Sequence, residues 1–212
     1  MIQLSRYSLF ALALCLCIFM NGCAIGPKTE ETTFYTLSPE LEPAEQDLKR
    51  TAMSIEIGDI GVSEALKGQK IYVLRNQNIM DFYAGAKWAS NLSHMTRDFM
   101  AQALEQAFGP VVSSSRGSDQ SCLEISFYIR DFQAQYADST DSAPNIHVTI
   151  LATISSKSVE KKSHRLILNK SLTADENKLS AVVLAFEKAM SQIALELTHK
   201  IGQFQACQNR SL

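Results

Sequence analysis

Between Leu123 and Ile154, apolar residues fall on alternate positions in two successive runs, and this restricts the fold more than any other pattern in the chain. Side chains reverse direction at each residue of a β-strand, so a period of two buries one face and leaves the other free. Leu123, Ile125, Phe127 and Ile129 form the first set. Phe132, Ala134 and Tyr136 continue it one position out of phase, as one extra residue at a β-bulge near Arg130-Asp131 would require. Ile146, Val148, Ile150, Ala152 and Ile154 form the second strand, and a third runs from His164 to Leu172. Upstream, the alternation of Met53, Ile55 and Ile57 predicts a strand. The run Gln69 to Arg75 predicts another, paired as a hairpin with Asn78–Tyr83 across Asn76-Gln77.

Two segments change to helical periodicity. From about Ala86 to Phe108, Trp88, Leu92, Met95 and Phe99 recur at spacings of four, three and four, continued by Ala103 and Ala107. Gly109-Pro110 ends that helix, because Gly accepts a left-handed cap and Pro cannot continue the ladder. On this reading Trp88 is a core anchor on the apolar side of the helix. From about Lys178 to Gln203, Val182, Val183, Phe186, Met190, Ile193, Leu197 and Ile201 form a second stripe, with Thr173 and Glu176 resembling a capping box. The predicted order βββ-α-βββ-α is a single α+β domain: a mainly antiparallel sheet with two long amphipathic helices packed on one face.

The N-terminus has the layout of an export signal. Arg6 is its only charge, and the apolar run Leu9–Met20 is shorter than the roughly 20 residues a spanning helix requires. Gly22-Cys23 resembles the lipobox of bacterial lipoproteins, in which the cysteine is diacylated and the signal is cut before it. Met20 and Asn21 depart from the usual lipobox residues. Cys15 and Cys17 fit less well, because Leu14 and Leu16 stand where a small residue is needed. Two acyl chains make anchoring stable, and Ala24 after the cysteine suggests sorting to the outer membrane. The expected organisation is a signal at 1–22, a lipidated tether and linker at 23–50 carrying a short strand at 34–37, a domain at 51–205 and a tail at 206–212.

Composition acts by exclusion. Twenty Lys+Arg against 22 Asp+Glu, a net charge of -2, lacks the basic footprint of a nucleic-acid binder. A hydrophobic content of 46% is that of an ordinary globular chain. With the signal removed and Cys23 lipidated, Cys122 and Cys207 remain in a compartment that permits disulfides. Alternating strand directions bring the start of the 122–132 strand and the end of the last helix to one pole. A bond there would contribute on the order of 3 to 5 kcal/mol; the alternative is two reduced thiols.

No hydrolase elbow, metalloprotease helix, phosphate loop or C-x-x-C motif occurs in the mature chain. His94, His147, His164 and His199 are dispersed, and no two have metal-ligand spacing. Asp138 and Asp141 lack the ligand spacing of a calcium loop. Lys157, Lys161, Lys162 and Arg165 form a small basic cluster, read as a solvated loop that could touch anionic headgroups. No catalytic residue, metal or cofactor is expected; enzymatic function is disfavoured rather than excluded, because triads assemble from distant positions.

Several features in order resemble a known family: Gly22-Cys23, Phe34-Tyr35-Thr36-Leu37 soon after the anchor, a strand at 53–57, Val73-Leu74-Arg75, Lys87-Trp88-Ala89 and a final amphipathic helix. The chain looks like the ABC-type transport auxiliary lipoproteins, whose best-known branch is the PqiC-like intermembrane transport lipoproteins. Lys87 and Ser90 depart from that pattern. The resemblance implies a non-catalytic lipoprotein on the periplasmic face of the outer membrane. It would work beside an MCE-domain protein and an inner-membrane permease or ATPase that move lipids, with a ring of copies as one arrangement. Tyr35, Leu37, Arg75 and Trp88 are then motif positions of structural character. An outer-membrane assembly scaffold and a lipid-anchored hydrolase are the readings from other classes.

Overall fold

The computed structural model describes residues 31–39, 54–76, 78–109, 111–112, 121–137, 141–157 and 162–203. The signal, Cys23, the 40–50 linker, Met53, Asp138, Lys161, Cys207 and the C-terminal tail lie outside them. The strands are β1 (Thr33–Tyr35), β2 (Ile55–Val62), β3 (Lys70–Arg75), β4 (Ile79–Trp88), β5 (Val111–Val112), β6 (Leu123–Gln135), β7 (Asn145–Ser156) and β8 (Ser163–Thr173). The helices are α1 (Leu92–Phe108) and α2 (Leu179–Gly202). The architecture is the expected α+β one, with a single eight-stranded sheet among the described residues. Against that sheet α1 packs on β2, α2 packs on β7 and β8, and the two helices touch.

β6 organises the sheet. It pairs antiparallel with β7 along its whole length, and β7 pairs antiparallel with β8. On its other side β6 is shared, with β2 running parallel to Leu123–Ile129 and β3 parallel to Ala134–Gln135. The register shift between Ile129 and Asp131 is the predicted bulge, and it lets Leu123, Ile125, Phe127, Ile129, Phe132 and Ala134 all enter the core. β3 and β4 form the predicted hairpin, with Arg75 opposite Ile79 and Asn76 at a positive φ of 49° in the turn. Asparagine tolerates that left-handed conformation better than most residues do.

Three expectations change. The first helix begins at Leu92, not near Ala86: β4 runs to Trp88, and the Asn91 side chain accepts from the His94 backbone N–H at 3.0 Å as the N-cap. Ala86 and Trp88 are inward-facing strand residues whose spacing to Leu92 happens to continue the helical count. The C-terminal limit stands, with Gly109 at φ 93° closing α1. No capping box forms before α2, since Lys178 is the N-cap without a side-chain bond and Thr173 donates to Asn145 at 2.7 Å. Finally, folded structure includes residues upstream of Met53. β1 runs parallel to β4, Leu37 is buried, and the Ser38 N–H donates to Glu187 of α2 at 3.0 Å.

The slip of β2 against β6 between Ile57 and Ile60 frees carbonyls that a regular ladder would use. Arg97 of α1 takes them, donating to Ile57 O at 2.9 Å and Gly58 O at 2.8 Å. Because the guanidinium is charged, these bonds fasten α1 to the sheet more firmly than neutral ones would. Replacing Arg97 by Met is expected to cost about 2 kcal/mol, read as a lower urea midpoint with an unchanged slope.

Candidate interaction surfaces

The residues singled out from the sequence separate into a core group and a surface group. Trp88 at the end of β4, Phe132 of β6 and Phe186 of α2 form one fully buried aromatic cluster. Trp88 meets Phe132 edge-on at 5.8 Å and Phe186 edge-on at 5.5 Å, while Phe132 and Phe186 stack at 4.7 Å. Tyr35 is in register with Trp88, and the Ala89 N–H donates to Tyr35 O at 2.7 Å. Arg75 pairs with Asp81 across the hairpin. Tyr35, Leu37, Arg75 and Trp88 therefore all lie at or beside the β1–β4–β3 side of the sheet.

A second polar tie closes the same region. The Tyr83 hydroxyl lies 3.2 Å from that of Tyr136, which donates to Asn177 at 2.7 Å just before α2. Burial, reinforced by the hydrogen bond that the Tyr83 hydroxyl donates to Tyr136, pushes the Tyr83 phenol far above the ordinary tyrosine range. It is therefore a neutral hydrogen-bonding group at any physiological pH, with no role as a titrating base.

The four histidines do not converge. His94 and His199 lie on different helices, while His147 and His164 sit at opposite ends of the β7–β8 ladder on opposite faces. Among the described residues, no three His, Cys, Asp or Glu side chains gather as a metal would require. The basic cluster divides as well. Lys157 pairs with the buried Glu56 carboxylate at 2.5 Å, and Ser121 donates to the same oxygen at 2.9 Å. Reading Lys157 as part of a solvated loop was therefore wrong, because nothing local in the sequence marks a partner 101 positions away. Arg165 is exposed on β8. Cys122 is disulfide-bonded, and Cys207 lies outside the described residues.

What remains for recognition is surface. Both helices cover one face of the sheet, and the opposite face carries exposed large apolar side chains. Phe34 on β1 with Met80 and Phe82 on β4 form one group, and Tyr128 and Ile167 form another across β6 and β8. Gly61 is needed beneath Tyr128: a Cβ there would meet the ring at 2.8 Å. Sequence alternation identified which β6 and β7 residues face the core, but it could not show that no helix among the described residues would lie over the other face. No helix among the described residues is long and apolar enough to cross a membrane.

Comparison with known proteins agrees with this arrangement. The fold is similar to the crystal structure of the DUF330 protein XCC0632 from Xanthomonas campestris, with a TM-score of 0.64 at 19% identity, covering 84% of this chain and 98% of that one. An uncharacterised protein of known structure gives a TM-score of 0.62 at 14% identity, covering 81% and 99%. At these identities the likeness is one of fold. No curated protein matches by sequence. The family model for the ABC-type transport auxiliary lipoprotein component matches residues 35–198, from the motif tyrosine of β1 to the last turns of α2. The chain belongs to the ABC-type transport auxiliary lipoprotein family.

Proposed function

We propose that this protein is a non-catalytic docking component of an MCE-type ABC system that moves lipids between membranes, held on the periplasmic face of the outer membrane by acyl chains on Cys23. The observation that carries this reading is the family match across 35–198, joined to Gly22-Cys23 placed shortly before the first strand. The surface supports it, because an accessory subunit needs an exposed face to bind partners. The function is then mechanical: the lipid fixes the domain at a membrane, and the sheet and helices hold the part of that face around Tyr128 and Ile167 rigid while a periplasmic partner engages it.

Pull-down of the tagged full chain from detergent-solubilised envelopes tests the partner. Recovery of an MCE-domain protein with its permease or ATPase supports the reading, and recovery of outer-membrane assembly components instead overturns it. Density fractionation of the envelope tests the location, with enrichment in the inner-membrane fraction counting against outer-membrane anchoring. We also propose Cys207 as the partner of Cys122. Peptide mapping without reductant should yield one linked peptide containing both residues; an alkylatable Cys207 thiol would refute the pairing.

A further inference from the structure

We propose that the uncovered face of β1, β4 and β3 is a membrane-contact surface, which lies against the anionic phospholipid headgroups of the bilayer that holds the anchor. This rests on the lipidation of Cys23 proposed above. Opposed residues in a β-ladder share a face, so the register defines the surface. Phe34 is opposite Lys87, Lys87 is opposite Lys70, Phe82 is opposite Tyr72, and Met80 is opposite Leu74. The Lys70 ammonium lies 3.9 Å from the centre of the Phe82 ring, which confirms that both stand on the same side. Phe34 is 59% exposed, Phe82 44% and Met80 42%, so the described residues leave these side chains largely uncovered.

The charge on this face has one sign. Asp81 is the only acidic residue in β1, β3 and β4, and it is opposite Val73 on the other face, paired with Arg75. The uncovered face of these strands therefore presents two lysines among aromatic and aliphatic side chains, and the three strands place no carboxylate on it. Such a set suits the boundary between headgroups and acyl chains. Aromatic rings settle at that depth, and lysine stems lie along apolar surface while their ammonium groups reach phosphate.

The position of the surface in the chain selects the occupant. Phe34 is on the first strand after the lipid anchor, and residues 24–32 between Cys23 and Thr33 can span at most about 35 Å. The edge of the sheet bearing Phe34 therefore stays within about 35 Å of the anchor. The comparably exposed Ile167 is on β8, at the far edge of the sheet.

The test uses the full lipidated chain in vesicles of phosphatidylethanolamine and phosphatidylglycerol, with either Phe34→Trp or Ile167→Trp. Both positions are exposed, so neither change disturbs packing, and the buried Trp88 supplies a constant background. Brominated acyl chains should quench the new Trp at position 34 at least about twofold more than at 167, and iodide should quench it less. Adding Lys70→Glu and Lys87→Glu should reduce the bromolipid quenching at position 34 to the level at 167. Equal quenching at both positions in protein whose intact mass shows the lipid on Cys23 overturns the contact surface alone. Shielding of position 34 from iodide without bromolipid quenching means that a protein or a second copy covers it, which also overturns the proposal. An intact mass without lipid on Cys23 overturns the anchoring reading, and this proposal with it.

Discussion

Trp88→Ala is expected to cost about 3–5 kcal/mol of folding stability, the range for truncating a large buried aromatic. Trp88 reaches from the end of β4 into edge-on contact with Phe132 of β6 and Phe186 of α2, so one side chain joins the hairpin, the central strand and the C-terminal helix. Removing it leaves a cavity lined by two rings that stack on each other and by strands fixed in register, and neither can collapse far into it. The measurement is urea unfolding followed by far-UV circular dichroism, because the variant loses its only tryptophan. With a slope of about 2 kcal/mol per molar, the midpoint should fall by about 2 M. Phe34→Ala is the control: its ring is exposed and should change stability by less than about 0.5 kcal/mol. Comparable losses in the two variants would show that the aromatic cluster is not the structural centre.

Lys157→Met is expected to destabilise by about 3 kcal/mol, and more than Glu56→Gln does. The asymmetry follows from burial. The Glu56 side chain is 5% exposed and that of Lys157 is 25% exposed. Removing the lysine takes the Lys157 ammonium away from a carboxylate that stays buried in the sheet. Removing the carboxylate's charge leaves a lysine that can extend towards water, while the amide still accepts from Ser121. Chemical denaturation of both variants checks the order. A larger loss for Glu56→Gln would mean that the ammonium, not the carboxylate, is the group that depends on the pair.

Both predictions concern features that the sequence showed only in part. Alternation along β6 and β7, the bulge after Ile129 and the stripe of α2 could be read directly, because each depends on the period with which neighbouring residues face the core. The β3–β4 hairpin could be read because its turn is local. Trp88 was recognised as a core residue but assigned to the wrong element. Its spacing to Leu92 satisfies a helix, while Asn91 as N-cap and the inward alternation of Ala86 and Trp88 mark a strand that ends first. The Glu56–Lys157 pair left no local trace, since ion pairing depends on distance in space.

The recognition surface was legible to a similar extent. The signal-like N-terminus, Gly22-Cys23 and the motif residues pointed to a lipoprotein family, and the chain belongs to that family. They did not show which sheet face the helices leave uncovered. That depends on strand order: β2 enters parallel beside β6, β3 takes the remaining length of the same edge, and β1 pairs parallel with β4. A parallel pair has no tight turn between its strands and so leaves no turn residues to announce it. The sequence alone determined the class of the fold and the inward side of its longest strands, and it predicts lipidation at Cys23, because periodicity and short motifs are local properties. Tertiary structure decided which strands adjoin, where Trp88 and Lys157 find their partners and which apolar residues stay exposed, because those outcomes depend on contacts between distant segments.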